Sequence, residues 1–199
     1  MKKPRKVFGV GTNDATYVVD PIGPDGKRLR CPYYRAWNNM LKRAYCSKYH
    51  VRRPTYIGVT VCEEWLSFMA FRAWMEAQDW QGKQLDKDII APGNKVYSPD
   101  TCVFVSPALN NLFTDCGAAR GEYPIGVSWY KRDKKFYAQI RIAGRLKHLG
   151  VFTCPHEAHV AWRKAKVRLI RGAAREQGDP RIYAGLLLHA ARIERGEAH

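Results

Sequence analysis

Between residues 135 and 142 the side chains alternate without a break: Phe136, Ala138, Ile140 and Ile142 are apolar, while Tyr137, Gln139 and Arg141 between them are polar. A period of two is the signature of a β-strand with one face in a core and the other open, because successive side chains leave a strand on opposite sides. Residues 124–130 and 146–152 read as two further strands, with residues 131–134 and then Ala143, Gly144 and Arg145 supplying the turns. Helix signals follow at once. Thr153 or Cys154 can cap, Pro155 suits a first turn, and Glu157 sits near the positive end of the helix dipole. Ala158, Trp162, Ala165 and Leu169 then step by four, three and four, one apolar stripe able to cover the sheet. The pattern commits residues 123–170 to a three-stranded antiparallel sheet packed on one α-helix.

The rest of the chain reads differently, and the expected class is α+β. Residues 1–30 are rich in Lys, Arg, Gly, Pro and Asp and predict a basic extended arm with turns. A first helix is expected over residues 32–45, with Tyr33, Trp37, Met40, Leu41 and Ala44 on one side. A loop over residues 47–58 carries His50, Arg52 and Arg53, and a second helix over residues 63–78 presents Trp65, Phe68, Met69, Ala73 and Trp74. That spacing marks core aromatics rather than a base-stacking platform. Residues 85–90 and 102–105 predict short strands, and Ser106 with Pro107 opens a helix over residues 107–115, giving a ββα unit. Asp179 and Pro180 lead into a last helix over residues 182–195, whose apolar residues 186–188 should dock on the body or on a partner, including a second copy. The division expected is an arm (1–30), a helical and ββα domain (31–118), the sheet-and-helix domain (119–171) and a C-terminal helix (172–199).

Charge narrows the function. The chain carries 34 Lys and Arg against 18 Asp and Glu, a net +16. Self-repulsion of that size is relieved by a polyanionic partner, although bare solubility is a competing use of surface charge. The distribution favours the partner. Residues 1–77 hold 14 bases and 6 acids, residues 78–122 hold 4 and 6, and residues 123–170 hold 11 and 2. No run approaches the roughly 18 apolar residues of a membrane span, and the basic start lacks the apolar stretch of a secretory signal, so a cytoplasmic protein with no membrane partner is expected. The six cysteines form no C-x-x-C pair, which gives little support to zinc and none to a disulfide framework.

On the open side of the predicted sheet, Gln139 and Arg141 are joined by Ser128 and Tyr130 from the first strand, by Arg132 and Lys134 from its turn, and by Arg145, Lys147 and His148 beyond. Double-stranded DNA suits such a face. A major groove admits β-structure, Arg pairs with guanine and Gln with adenine, and Lys holds phosphates. Lys2, Lys3, Arg5 and Lys6 could clamp the backbone or remain a solvated tail. The run from Tyr123 to Val127, the Phe136–Arg141 strand, the run from His148 to Phe152, and Glu157, Ala158, Ala161 and Trp162 together resemble the Apetala/ethylene-response-factor DNA-binding domain in its phage and bacterial form. The resemblance spans about 48 residues. It implies a sheet that enters the major groove and base or phosphate contacts at Ser128, Tyr130, Lys134, Gln139, Arg141 and His148. Ser128 and His148 stand where plant members have Arg and Trp, so no target sequence carries over.

Residues 85–113 resemble the HNH (His-Me finger) nucleases of phages, in which two strands and a helix surround one divalent metal such as Mg²⁺. The resemblance places Asp86 at the family's Asp and Asn110, or Asn111, at the helix residue; Asp86 and Asn110 would hold the metal. Lys87 stands where the family has its general-base His, and an ammonium with an ordinary pKa of about 10.4 has no lone pair at neutral pH. Asp88 on the same strand would point away from Asp86. His50 is the nearest imidazole that could substitute. A non-cleaving scaffold, an active homing or nicking endonuclease with a rearranged base, and an unrelated turn all remain open here. The expectation is a phage-type or mobile-element-type, sequence-biased binder of double-stranded DNA.

Overall fold

The structure, a computed structural model, describes residues 6–113 and 122–197. The chain is α+β and divides into two compact units, residues 1–106 and residues 107–199.

In the first unit, helix α1 (Pro32–Tyr45) has Pro at its first turn and Lys42 and Arg43 in its last, where cations favour the carbonyl end of the dipole. The region expected as a loop instead coils into a short helix, α2 (Ser47–Arg52). Strand β1 (Thr60–Val61) precedes α3 (Phe68–Glu76), which is capped by the Ser67 hydroxyl accepting from the Ala70 N–H at 3.1 Å. Trp37, Trp65, Phe68 and Phe71 are fully buried between these elements, and the Trp37 indole N–H donates to the Trp65 carbonyl at 2.7 Å. The aromatics of the second predicted helix are therefore core.

Strand β2 (Gln84–Asp86) pairs antiparallel with β4 (Val103–Val105), and β3 (Val96–Tyr97) pairs parallel with β1. The strand expected over residues 85–90 ends at Asp86, and residues 87–95 form a loop. Nor does the first part of the expected arm project, although residues 24–30 are exposed. Val7, Phe8, Val10, Ala15 and Val19 lie against the core, and Asp14 accepts from the Ser67 hydroxyl at 2.6 Å and the Met69 N–H at 2.9 Å. Gly11 seals this contact, since a methyl there would meet Leu41 at 2.4 Å.

The second unit begins with α4 (Pro107–Asn111) and then builds the expected sheet: β5 (Val127–Tyr130), β6 (Lys135–Ile142) and β7 (Arg145–Phe152), antiparallel in that order. The β6–β7 turn has two residues, Ala143 and Gly144, at φ 47° and 79°. Left-handed conformations at both positions match the twist of the flanking strands. Arg145, expected in that turn, opens β7 opposite Ile142. Helix α5 (Pro155–Arg175) packs on all three strands and continues past the sheet to carry α6 (Pro180–Glu194). Ala138, Ile140, Ala158 and Trp162 are buried in this unit together with Ile170, Leu186 and Ala190. Trp162 lies on Gly126, where an added methyl would come within 2.0 Å of the indole, and His159 donates to the Ile125 carbonyl at 3.0 Å. Asp179 caps α6 by accepting from the Arg181 N–H at 2.8 Å. No helix among the described residues is long and apolar enough to cross a membrane.

Candidate nucleic-acid interface

Residues directly opposite in an antiparallel pair share a face, so the register assigns the open surface of the sheet. Ser128 faces Tyr137 and Tyr130 faces Lys135 across β5–β6; Tyr137 faces Val151, Gln139 faces His148 and Arg141 faces Leu146 across β6–β7. All of these lie on the side away from α5. The covered side holds Phe136, Ala138 and Ile140, with Trp129 against Phe136 at a ring separation of 4.7 Å. Ser128, Tyr130, Gln139, Arg141 and His148 thus come together on one surface, as the alternation implied.

Arg145 and Lys147 do not join them. The register sets them opposite Ile142 and Ile140, on the side of the sheet that faces α5. Both are nevertheless exposed. Lys147 and His148 are neighbours in a regular stretch of strand, so only one of them can share the face of Gln139, and the register selects His148. Gly150 pairs with Ala138 and His148 with Gln139, leaving Leu149 as a bulge.

The same register builds a feature that alternation could not show. Tyr130, Tyr137 and His148 form a diagonal of rings across the three strands, with centroids 4.7 Å apart for the first pair and 5.1 Å for the second. The Tyr137 hydroxyl donates to Asp133, whose other oxygen accepts from Arg132 Nε at 2.9 Å. Those two bonds, Arg132's first, hold the Asp133 carboxyl below the usual range, and Asp133 in turn raises the Tyr137 phenol. Tyr137 therefore offers its ring to the open side while its hydroxyl is engaged. Lys134 sits in the turn at φ 48°, exposed beside Arg132. Arg141 donates through Nη1 to the Gly144 carbonyl at 3.0 Å, which steadies it at the lip of the β6–β7 hairpin. Lys135, absent from the predicted site, adds another cation to this face. Of the amino-terminal bases, Lys2, Lys3 and Arg5 lie outside the described residues, and Lys6 donates to the Thr12 hydroxyl at 2.7 Å.

The second predicted site has a different character. Asp86 terminates β2, and its Oδ1 accepts from the backbone N–H of Asp88 at 2.9 Å and of Ile89 at 2.7 Å. Burial, and then the Asp88 charge, push its carboxyl up to about 6. Lys87 is 7% exposed, and its ammonium donates to Asp88 Oδ2 and to the Asn94 carbonyl, each at 2.9 Å. Asn94 returns a bond to the Lys87 carbonyl at 2.6 Å and another to Val96 at 2.7 Å. Lys87 and Asn94 are thus the two struts of the loop between β2 and β3. Because residue 88 belongs to that loop, the opposed strand faces expected for Asp86 and Asp88 do not exist. His50, on α2, donates to the Arg43 carbonyl at 2.8 Å.

A divalent metal is a poor match for these groups. Asp86 Oδ1 already serves two N–H donors, and a bound ammonium stands next in the chain. Asn110 lies on α4. Among the described residues, no group of three or more His, Cys, Asp or Glu side chains is placed to hold a cation. Compared with known proteins, the chain matches no family model, no curated protein and no solved structure.

Proposed function

We propose that this chain is a sequence-biased double-stranded DNA-binding protein whose reader is the open face of β5–β7, and that its β2–β4 segment is a scaffold without a general base. The observation that carries the reading is the makeup of that face. Lys135, Gln139 and Arg141 share the open face of one strand, with Tyr137 between the first two, flanked by Arg132 and Lys134, and the nearby Asp133 is occupied by Arg132 and Tyr137. Amide and guanidinium groups on a half-covered sheet suit base edges in a major groove, while the lysines suit phosphates. The resemblance of residues 123–170 to a DNA-binding domain points the same way.

The test is one binding titration across duplex DNA, single-stranded DNA and RNA at several salt concentrations. Duplex should bind tightest, with log K falling linearly in log salt. Equal affinity for all three, or none at low salt, overturns the proposal. A second reading has its own observation: the Tyr130–Tyr137–His148 diagonal is suited to stacking on unpaired bases. A preference for single strands in the same titration would select it.

Against cleavage stands the engagement of Lys87, whose ammonium is committed to Asp88 and Asn94 rather than available to water. Supercoiled plasmid incubated with stoichiometric protein and Mg²⁺ or Mn²⁺ should stay intact. Nicking that survives Lys87→Met but is lost in Asp86→Asn would establish the endonuclease alternative.

A further inference from the structure

A second basic surface lies on the other side of α5. Val160, Arg163, Lys164, Val167, Arg168 and Arg171, with Glu194 of α6, line an open groove of about 320 Å³. At 100° per residue these α5 positions centre opposite Trp162, the residue that sits on Gly126 at the sheet. The groove and the open face of β5–β7 therefore point away from each other through the thickness of the unit.

Its chemistry is that of an anion site with an apolar floor. Four of the seven lining residues are cations, and the single acid, Glu194, is taken by Arg171 at 2.9 Å. Lys164 and Arg168 are exposed and form no ion pair among the described residues. Arg163 is the most enclosed of the lining cations. Its Nε is buried with no hydrogen-bond partner among the described residues, while its Nη1 is wedged against Gly196, where an added methyl would lie 2.6 Å away. Of the four cations, Arg171 is the one with an ion-pair partner on α6 among the described residues.

We infer that this groove is a second nucleic-acid site, taking the phosphodiester backbone of a segment other than the one on the sheet, so that one protein molecule holds two segments. The choice of nucleic acid as the occupant rests on the reading of the sheet face. Guanidinium groups give paired hydrogen bonds to phosphate oxygens, and Val160 and Val167 between them can lie against sugar. Contacts to phosphate carry no sequence information, so capture at this site does not depend on the sequence of the second segment.

The experiment uses the full-length chain. One biotinylated duplex is immobilised, protein is bound, and capture of a second, fluorescent duplex of unrelated sequence is measured after washing. Wild type should capture it. The double variant Lys164→Gln/Arg168→Gln, whose exposed side chains leave the fold intact by circular dichroism, should lose capture at least tenfold while binding the first duplex within about threefold of wild type. Arg163→Lys, which keeps the charge but not the fork, should weaken capture more than first-duplex binding. Wild type that binds one duplex but captures no second, or a double variant that captures as well as wild type, overturns the inference and leaves the sheet reading standing. If wild type binds no duplex at all, the sheet reading fails instead.

Discussion

Arg141 is the side chain on which base reading can be tested most directly. It is exposed, fixed at the hairpin lip by Gly144, and contributes nothing to the core. Arg141→Ala should weaken binding to a preferred duplex by roughly 1–3 kcal/mol if the guanidinium reads a base, with little change in melting temperature. Equal loss on every sequence would reassign it to a phosphate. Asp86 supports a second prediction. Its carboxyl is raised to about 6, so between the unfolded value near 3.8 and that point the native state holds a proton that the unfolded chain releases. Stability contributed by this group is therefore present at low pH and drains away as pH climbs through that window, the reverse of a salt-bridged Asp. Asp86→Asn keeps the oxygen that accepts from Asp88 and Ile89 and should abolish that part of the slope in denaturant unfolding between pH 4 and 6.5. An unchanged slope would show that the carboxyl ionises normally. Lys87→Met removes both bonds to the loop while roughly matching the side chain's length, and should cost the first unit about 1–3 kcal/mol because the half-buried Asn94 carbonyl is left without its donor.

Among the elements, the β5–β7 sheet and α5 were legible because two periodicities, two and then three to four, follow one another in a single stretch. The strand after Leu85 was not legible. Residues 85–90 have the hydropathy of a strand, but the Asp86 side chain captures the N–H groups of residues 88 and 89, and that local competition turns the chain. Helix α2 was missed for the opposite reason, since none of its residues is buried and no apolar stripe advertises it. The open face was read correctly on β5 and β6, and wrongly for Arg145 and Lys147, which alternate with His148 along β7 and so take the opposite side. The diagonal of Tyr130, Tyr137 and His148 likewise exists only once register is known. Gly126→Ala tests the seat of α5 on the sheet. Position 126 has φ 79° and its methyl would strike Trp162, so overpacking and backbone strain together should cost about 2–4 kcal/mol. A shift in denaturation midpoint smaller than about 1 kcal/mol would mean that the helix is free to move off the strand.

For the whole molecule, the division at residues 106 and 107 predicts separable folding. Calorimetry of the full chain should resolve two transitions, and residues 107–199 expressed alone should melt at the temperature of one of them. The fragment should also retain duplex binding, since every member of the open face belongs to it; loss of binding would transfer the interface to the amino-terminal unit. Within the fragment, α5 supports the sheet with its Trp162 side and α6 with another. Because one rod props up everything in this half, a protease nick in the middle of it should bring down the whole half together. Under the proposed binding role, a damaged copy then leaves no crippled remnant to compete with intact molecules.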